Sequence, residues 1–373
     1  YMSECYDIRS YAGYRRKNFF ILGWLPASEA EDFAEECKSI EGFTCILTDA
    51  REVEDYEPPV KLGGNLLQKI YAPFVEMFGV PRYGEVDPRM FMALAYSVLF
   101  GIMFGDVGQG AVLAILGYVF WKTKRMWLGR VLVCAGICSV AMGFVYGNIF
   151  GYEDILPGFK VLEGENTMRM LLVSVAIGVV LLLICMALNI INGIRQRDIK
   201  KIFFSPNGLA GFVMYLSIAV AVVVLFAFDK NIFTPLYIIV FIVLPLFAIF
   251  AAEPLTKLCR GEKDWLPESI GMFFVEGFFE LFETVLAYVS NTVSFLRVGA
   301  FAISHAGMMM VVFLLAKTAN GGNNIIAVII GNIIVMGIEA VLVCIQVMRL
   351  HFYEMFGRFY TGGGQKFSPK IID

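Results

Sequence analysis

The chain has 373 residues, of which 58% are hydrophobic and 17% charged, and its mean hydropathy is +0.70. These values exclude an ordinary soluble domain and fit an all-α protein that crosses a membrane several times. A formal net charge of −3, with no basic patch interleaved with aromatics, excludes a nucleic-acid partner.

Eight cysteines are present, but Cys134, Cys138, Cys185, Cys259 and Cys344 lie in or beside apolar runs. No CxxC pair or His/Cys cluster has metal-ligand spacing. Neither disulfides nor zinc are expected. With no GxxxxGK(S/T) loop to hold a nucleotide, no cofactor is expected either.

Residues 18–24 (NFFILGW) and 43–50 (FTCILTDA) read as strands on either side of an amphipathic helix that Ser28 caps and that runs to Ile40. This small α/β fragment reads as the remnant of a longer cytoplasmic domain, truncated at its N-terminal side. With the acidic, proline-containing linker 51–62 it forms a first domain, 1–62, and residues 63–373 form a transmembrane domain. Residues 66–88 mix aromatic and charged side chains, as expected at the headgroup level of a bilayer.

From Phe91 onward the apolar runs are 91–104, 107–121, 131–150, 170–194, 209–228, 232–252, 280–316 and 324–356. The first two are shorter than the ~20 residues that usually span a bilayer. FGDVGQG lies between them, and its glycines permit a tight turn, so they predict a hairpin of two short helices; one kinked helix is the alternative. About eight crossings result. The basic loops 121–130, 195–201 and 256–263 then share one side, and the acidic or sparsely charged loops 151–167, 229–234 and 317–324 the other. Both termini are therefore expected in the cytoplasm.

Each of the last two runs has about 33 residues, or roughly 50 Å of helix against a hydrocarbon core of ~30 Å, which predicts long, steeply tilted helices. Helical steps place Glu283, Ser290, Ser294, Arg297, Ser304 and His305 within one arc on the first. On the second, Asn332, Glu339 and Gln346 recur every seven residues, with Arg349 and His351 to either side. The chain has two histidines, and both lie here. Charges inside a membrane mark ion paths, proton relays or internal pairs. Arg297 could simply bridge to Glu283 or Glu339, Arg349 could snorkel, and Asp106 and Glu253 lie at helix ends as capping or orienting groups. A guanidinium cannot carry protons, but it can stabilise a carboxylate that slides past it and block a direct leak. Glu, His, Ser and Asn suit the linings of aqueous half-channels.

The stretches PPVKL (58–62), FGDVGQG (104–110), SFLRVGAFAISHAG (294–307) and VMRLHFYEMFGRFYTGGGQKFSP (347–369) occur in that order. They resemble the membrane subunit a of rotary V-type and A-type ATPases, called subunit I in prokaryotic enzymes. The resemblance implies a stator subunit that carries H+ or Na+ through two offset half-channels to the carboxylates of a rotating proteolipid ring of subunit c (subunit K). It places Arg297 and Arg349 at the ring interface, Glu283 in the cytoplasmic half-channel, and Glu339, His305 and His351 in the outer one. Ser294 and Gln346 continue the same polar stripes. It also implies peripheral-stalk and central-stalk partners, a bacterial plasma membrane, and no ATP hydrolysis by this subunit itself. The alternative is a self-contained secondary transporter, which predicts corresponding broken helices in two halves of the chain.

Overall fold

The computed structural model describes residues 12–15, 18–50, 57–152, 155, 157–228, 234–260, 270–317 and 324–368. The chain divides into two compact units: Tyr1–Asn65 with Glu76–Tyr83 and Gly362–Asp373, and Leu66–Val75 with Gly84–Thr361. In the first, β1 (Gly13–Arg15) and β2 (Asn18–Phe20) pair antiparallel, with Gly13 opposite Phe20. A 3-10 turn at Ala27–Glu29 then leads into α1 (Ala30–Lys38).

Two local expectations fail here. Residues 21–24 and 43–50 form no strand, because strand backbone needs a neighbour for its N–H and C=O groups and, among the described residues, the one pairing partner of β2 is three residues long. Ser28 does not cap the helix: it lies inside the 3-10 turn, and Glu29 takes the cap position without a side-chain bond. The same unit is tied to the C-terminal stretch by bridges from Val60 to Lys366 and from Val80 to Gly364, and Lys366 Nζ donates to Glu76 Oε1 at 2.8 Å.

The second unit is almost wholly helical, as it must be where a bilayer offers backbone groups no hydrogen-bond partners. Helix α2 (Leu66–Phe78) buries Ile70, Tyr71, Phe74 and Val75, so the stretch expected at headgroup level is an amphipathic helix with a packed face. Its Tyr71 hydroxyl lies 2.7 Å from Ser97 Oγ on the next helix.

Next come α3 (Arg89–Phe104), α4 (Val107–Lys124) and α5 (Trp127–Tyr146). A Cβ added to Gly101 would lie 2.7 Å from Cys138 O, and one added to Gly110 would lie 2.7 Å from Ser139 Oγ. Gly101 and Gly110 therefore meet adjacent residues of α5, although in one continuous helix they would be separated by roughly 13 Å. The chain reverses at Gly105–Asp106, and the hairpin reading holds over the kinked helix.

Helices α4 and α5 approach closely enough to exclude side chains at the contact. A Cβ on Gly129 would lie 2.6 Å from Gly117 O, and one on Gly136 would lie 2.7 Å from Ala114 N. Small residues are the usual means of such contact between membrane helices. Gly136→Leu is therefore expected to separate the pair and reduce the yield of folded chain recovered from membranes. Wild-type recovery and melting temperature would rule out this contact.

The remaining elements are α6 (Asn166–Gln196), α7 (Leu209–Phe228), α8 (Pro235–Phe250), α9 (Ala252–Arg260), α10 (Ile270–Ser294), α11 (Leu296–Ala316) and α12 (Ile325–Arg349). Helices α10 and α11 form a 46-residue rod, Gly271–Ala316, with a short irregularity at Phe295. Helix α12 continues through a π-helical turn, Leu350–Phe356, to make a second rod of 35 residues, Ile325–Phe359. These lengths correspond to roughly 70 and 50 Å, well beyond a ~30 Å hydrocarbon core.

Among the described residues five helices are long and apolar enough to cross a membrane, or six if the pair bent by 77° at α8–α9 counts as one. The expected eight segments all exist as helices, but α3 and α4, with 16 and 18 residues, fall short of a full span. The chain is a multi-pass membrane protein.

Candidate functional site

The turn that reverses the chain also builds the most buried polar cluster. Gly105 closes α3 with φ 20°, and Asp106, in extended conformation, caps α4 by accepting from Gln109 N at 2.8 Å. The same fully buried carboxylate accepts from Phe150 N at 3.0 Å and Gly151 N at 2.7 Å. Phe150 and Gly151 have φ of 49° and 78°, a left-handed backbone that points consecutive N–H groups into one anion-binding concavity. The capping role read from sequence for Asp106 is present, with two further donors.

Asp106 Oδ2 also lies 3.9 Å from His305 Nε2, while His305 Nδ1 is hydrogen-bonded to Glu339 Oε2. His305 and Glu339 are each 3% exposed. An imidazole thus stands between two carboxylates, the three groups coming from three separate helical segments. Such a ring can accept a proton at one nitrogen and release one at the other. Beside it, Gln109 Nε2 donates to Asn332 Oδ1 at 2.9 Å. A cavity of about 390 Å³ reaches this amide pair from between Phe150, Tyr152 and the first turns of α12.

The second cluster surrounds Arg297. Its Nη2 donates to Ser294 Oγ at 2.7 Å and lies 3.6 Å from Glu354 Oε1, and the Ser294 hydroxyl bonds the same carboxylate oxygen. Neither carboxylate expected from sequence as a fastening partner takes that place. Glu339 is engaged with His305, and Glu283 is exposed on α10 among the exposed Phe279, Phe282 and Leu286. Glu354 was invisible to stepwise helix geometry because the π-helical turn after Arg349 takes it off the regular 3.6-residue ladder. The available signal was its place five residues after Arg349, inside a stretch already rich in charge.

The expected stripe on α10–α11 is divided by burial. Glu283, Ser290 and Ser304 are exposed, Ser294 and Arg297 are half-buried, and His305 is buried. At Phe295 the backbone tightens, with Phe295 N bonding Thr292 O and Val298 N bonding Phe295 O, which shifts the register between the two halves. On α12, Asn332 and Glu339 are buried and Gln346 half-buried, while Arg349 is exposed beside the exposed Ile345 and Tyr353.

His351 belongs to neither cluster. It is fully buried, its Nδ1 bonds Val347 O at 2.8 Å, and its ring packs against Tyr96 and Phe356. A carbonyl can only accept, so Nδ1 carries the proton in this arrangement. Arg358, singled out by nothing in the sequence, is buried and donates to Asn207 Oδ1 at 2.8 Å over the ring of Tyr288. It fastens the turn before α7, α10 and the C-terminal turn.

Residues 7–153 match the model of the V-type ATPase 116kDa subunit family. The chain is 27% identical to the A-type ATP synthase subunit I of Saccharolobus solfataricus, over 94% of this chain and 59% of that protein. It is 26% identical to the A-type ATP synthase subunit I of Methanocaldococcus jannaschii, over 97% of this chain and 56% of the relative. A shorter stretch, 38% of this chain and 34% of the relative, is 34% identical to the V-type ATP synthase subunit I 2 of Treponema pallidum. The chain spans little more than half the length of the archaeal relatives it matches. The region matched by the family model includes Asp106 and Gln109, whereas the Arg297 cluster lies outside it and within the longer alignments to the archaeal proteins.

Proposed function

We propose that this chain is the static membrane subunit of a rotary V/A-type ATPase and carries H+ or Na+ between the two sides of a prokaryotic membrane and the carboxylates of a rotating proteolipid ring. ATP hydrolysis belongs to other subunits, and peripheral- and central-stalk subunits complete the assembly. The observation that carries this reading is the pairing of two unlike polar clusters on adjacent long helices. One is a buried carboxylate–imidazole–carboxylate group; the other is a half-buried guanidinium beside an exposed apolar face.

The division of labour follows from chemistry. His305, Glu339 and Asp106, reached through Gln109 and Asn332, form the outer path, and Glu283 on the exposed face of α10 belongs to the cytoplasmic one. Arg297, with Arg349, separates the two: a fixed positive charge attracts an ionised ring carboxylate and repels a cation that would leak straight through. Ser294 and Gln346 supply hydroxyl and amide groups next to that charge. The sign of the loop charges supports cytoplasmic positions for both ends of the chain.

The rival transporter reading requires matching broken helices in two repeats. The described residues contain one sharply broken pair, at α8–α9.

The test is transport by the assembled complex in sealed vesicles. Glu339→Gln and His305→Ala are each expected to slow ATP-driven ion uptake about tenfold or more, the usual scale for losing a positioned proton-transfer group. Unchanged uptake in both variants would remove the outer path from these residues. Saturable solute uptake by the isolated chain would favour the transporter instead.

A further inference from the structure

Glu354 has no task in the proposed path, yet its position is specific. It is 6% exposed, lies on the π-helical turn Leu350–Phe356, and reaches Arg297 through Ser294. The contact is one-sided. A tight guanidinium–carboxylate pair is bidentate, with two parallel bonds of roughly 2.7–2.9 Å, whereas here one nitrogen faces one oxygen at 3.6 Å and a serine hydroxyl is shared between them. The other halves stay open: Arg297 Nη1 and Glu354 Oε2 are buried without a hydrogen-bond partner, as is Gln346 Oε1 on α12. The arginine is therefore held but not saturated.

We propose that Glu354 is a positioning residue, a resident counter-ion that holds Arg297 between visits of the mobile ring carboxylates and takes the guanidinium back as each one leaves. The inference rests on the function proposed above. A lone guanidinium in a low-dielectric setting binds the first carboxylate it meets and releases it slowly, because separation would leave two unpaired charges. With a second carboxylate already beside it, departure becomes an exchange of partners. The visiting carboxylate can bond the open Nη1 while Nη2 still faces Glu354, and then withdraw as Glu354 closes on the guanidinium again. The charge on Arg297 is compensated throughout, and no bond is made or broken other than hydrogen bonds. Ser294 keeps Glu354 in reach during the visit. The nearby Arg349 adds a second cation that favours the approach of an anion.

A purely structural pair would instead fasten α11 to the C-terminal turn. The two roles separate in the complete complex, reconstituted in sealed vesicles, with assembly, ATP hydrolysis and ion uptake measured together. Glu354→Gln keeps a hydrogen bond to Ser294 but loses the charge. It is expected to assemble normally and to slow uptake and coupled hydrolysis together, about tenfold, while Glu354→Asp restores most of the rate. Equal rates for Glu, Asp and Gln, or loss of assembly with Gln, overturn the counter-ion role. Arg297→Ala distinguishes this from failure of the underlying function: persistent coupled uptake in that variant sinks both ideas. An inactive Arg297→Ala with a fully active Glu354→Gln sinks only this one.

Discussion

Arg297→Ala is expected to yield an assembled complex that pumps no ions. ATP-driven uptake into sealed vesicles should fall more than about 100-fold, because the change removes the guanidinium that Ser294 and Glu354 hold in place. The architecture should tolerate the change. Glu354 loses its cation but keeps the Ser294 hydroxyl, and a carboxyl group left without a cation can take up a proton instead of staying charged. Arg297→Lys keeps the charge without the planar fork and should retain a small fraction of the rate. Uptake by the alanine variant within about tenfold of the parent would show that a fixed charge is not what separates the two paths.

Much of this arrangement is legible in the amino-acid order because the bilayer restricts the alternatives. Apolar length and glycine placement suffice for the α3–α4 hairpin, since a non-helical turn can survive only where FGDVGQG permits it and where side chains satisfy the exposed backbone. The seven-residue spacing of Asn332, Glu339 and Gln346 likewise marks the inward side of α12. What escapes is whatever depends on a departure from regular helix. The tightened turn at Phe295 and the π-helical turn at Leu350–Phe356 rotate later residues out of register. His305 points inward while Ser304, one helical step away, does not, and Glu354, not Glu283 or Glu339, meets Arg297. His351 is grouped with the outer path by its motif position and its place beside the α12 stripe, whereas it is fully buried and packs against Tyr96 and Phe356. The strand assigned to 43–50 fails for a different reason: its pattern was suitable, but pairing is a tertiary property and no described neighbour supplies it.

Asp106→Ala should be the most destabilising single change in the molecule. It removes a helix cap worth about 1–2 kcal/mol and leaves Phe150 N and Gly151 N without their acceptor, at about 1–3 kcal/mol each. It also releases a loop held at positive φ. A total of about 3–8 kcal/mol is comparable with the whole stability margin of many domains. The detergent-purified variant should melt several degrees lower and accumulate poorly in membranes. Asp106→Asn should fall between the two. Its remaining Oδ1 can still serve Gln109 N and Phe150 N, which both bond that atom, but its NH2 would face the Gly151 donor. A melting temperature for the alanine variant equal to that of the parent would mean that the three bonds do not hold the hairpin.

The central claim is that the guanidinium-bearing face of the two long helices meets a moving partner that carries carboxylates. Disulfide cross-linking tests it most directly, with single cysteines at Val293, Ala300 and Ile345, all exposed around Arg297, paired with a cysteine next to the membrane carboxylate of the ring subunit. The account predicts rapid cross-links from all three positions that stop ATP-driven turnover and are reversed by reduction. Cross-links formed instead from exposed positions on α6 and α7, such as Leu172 and Val223, with none from the Arg297 face, would contradict it.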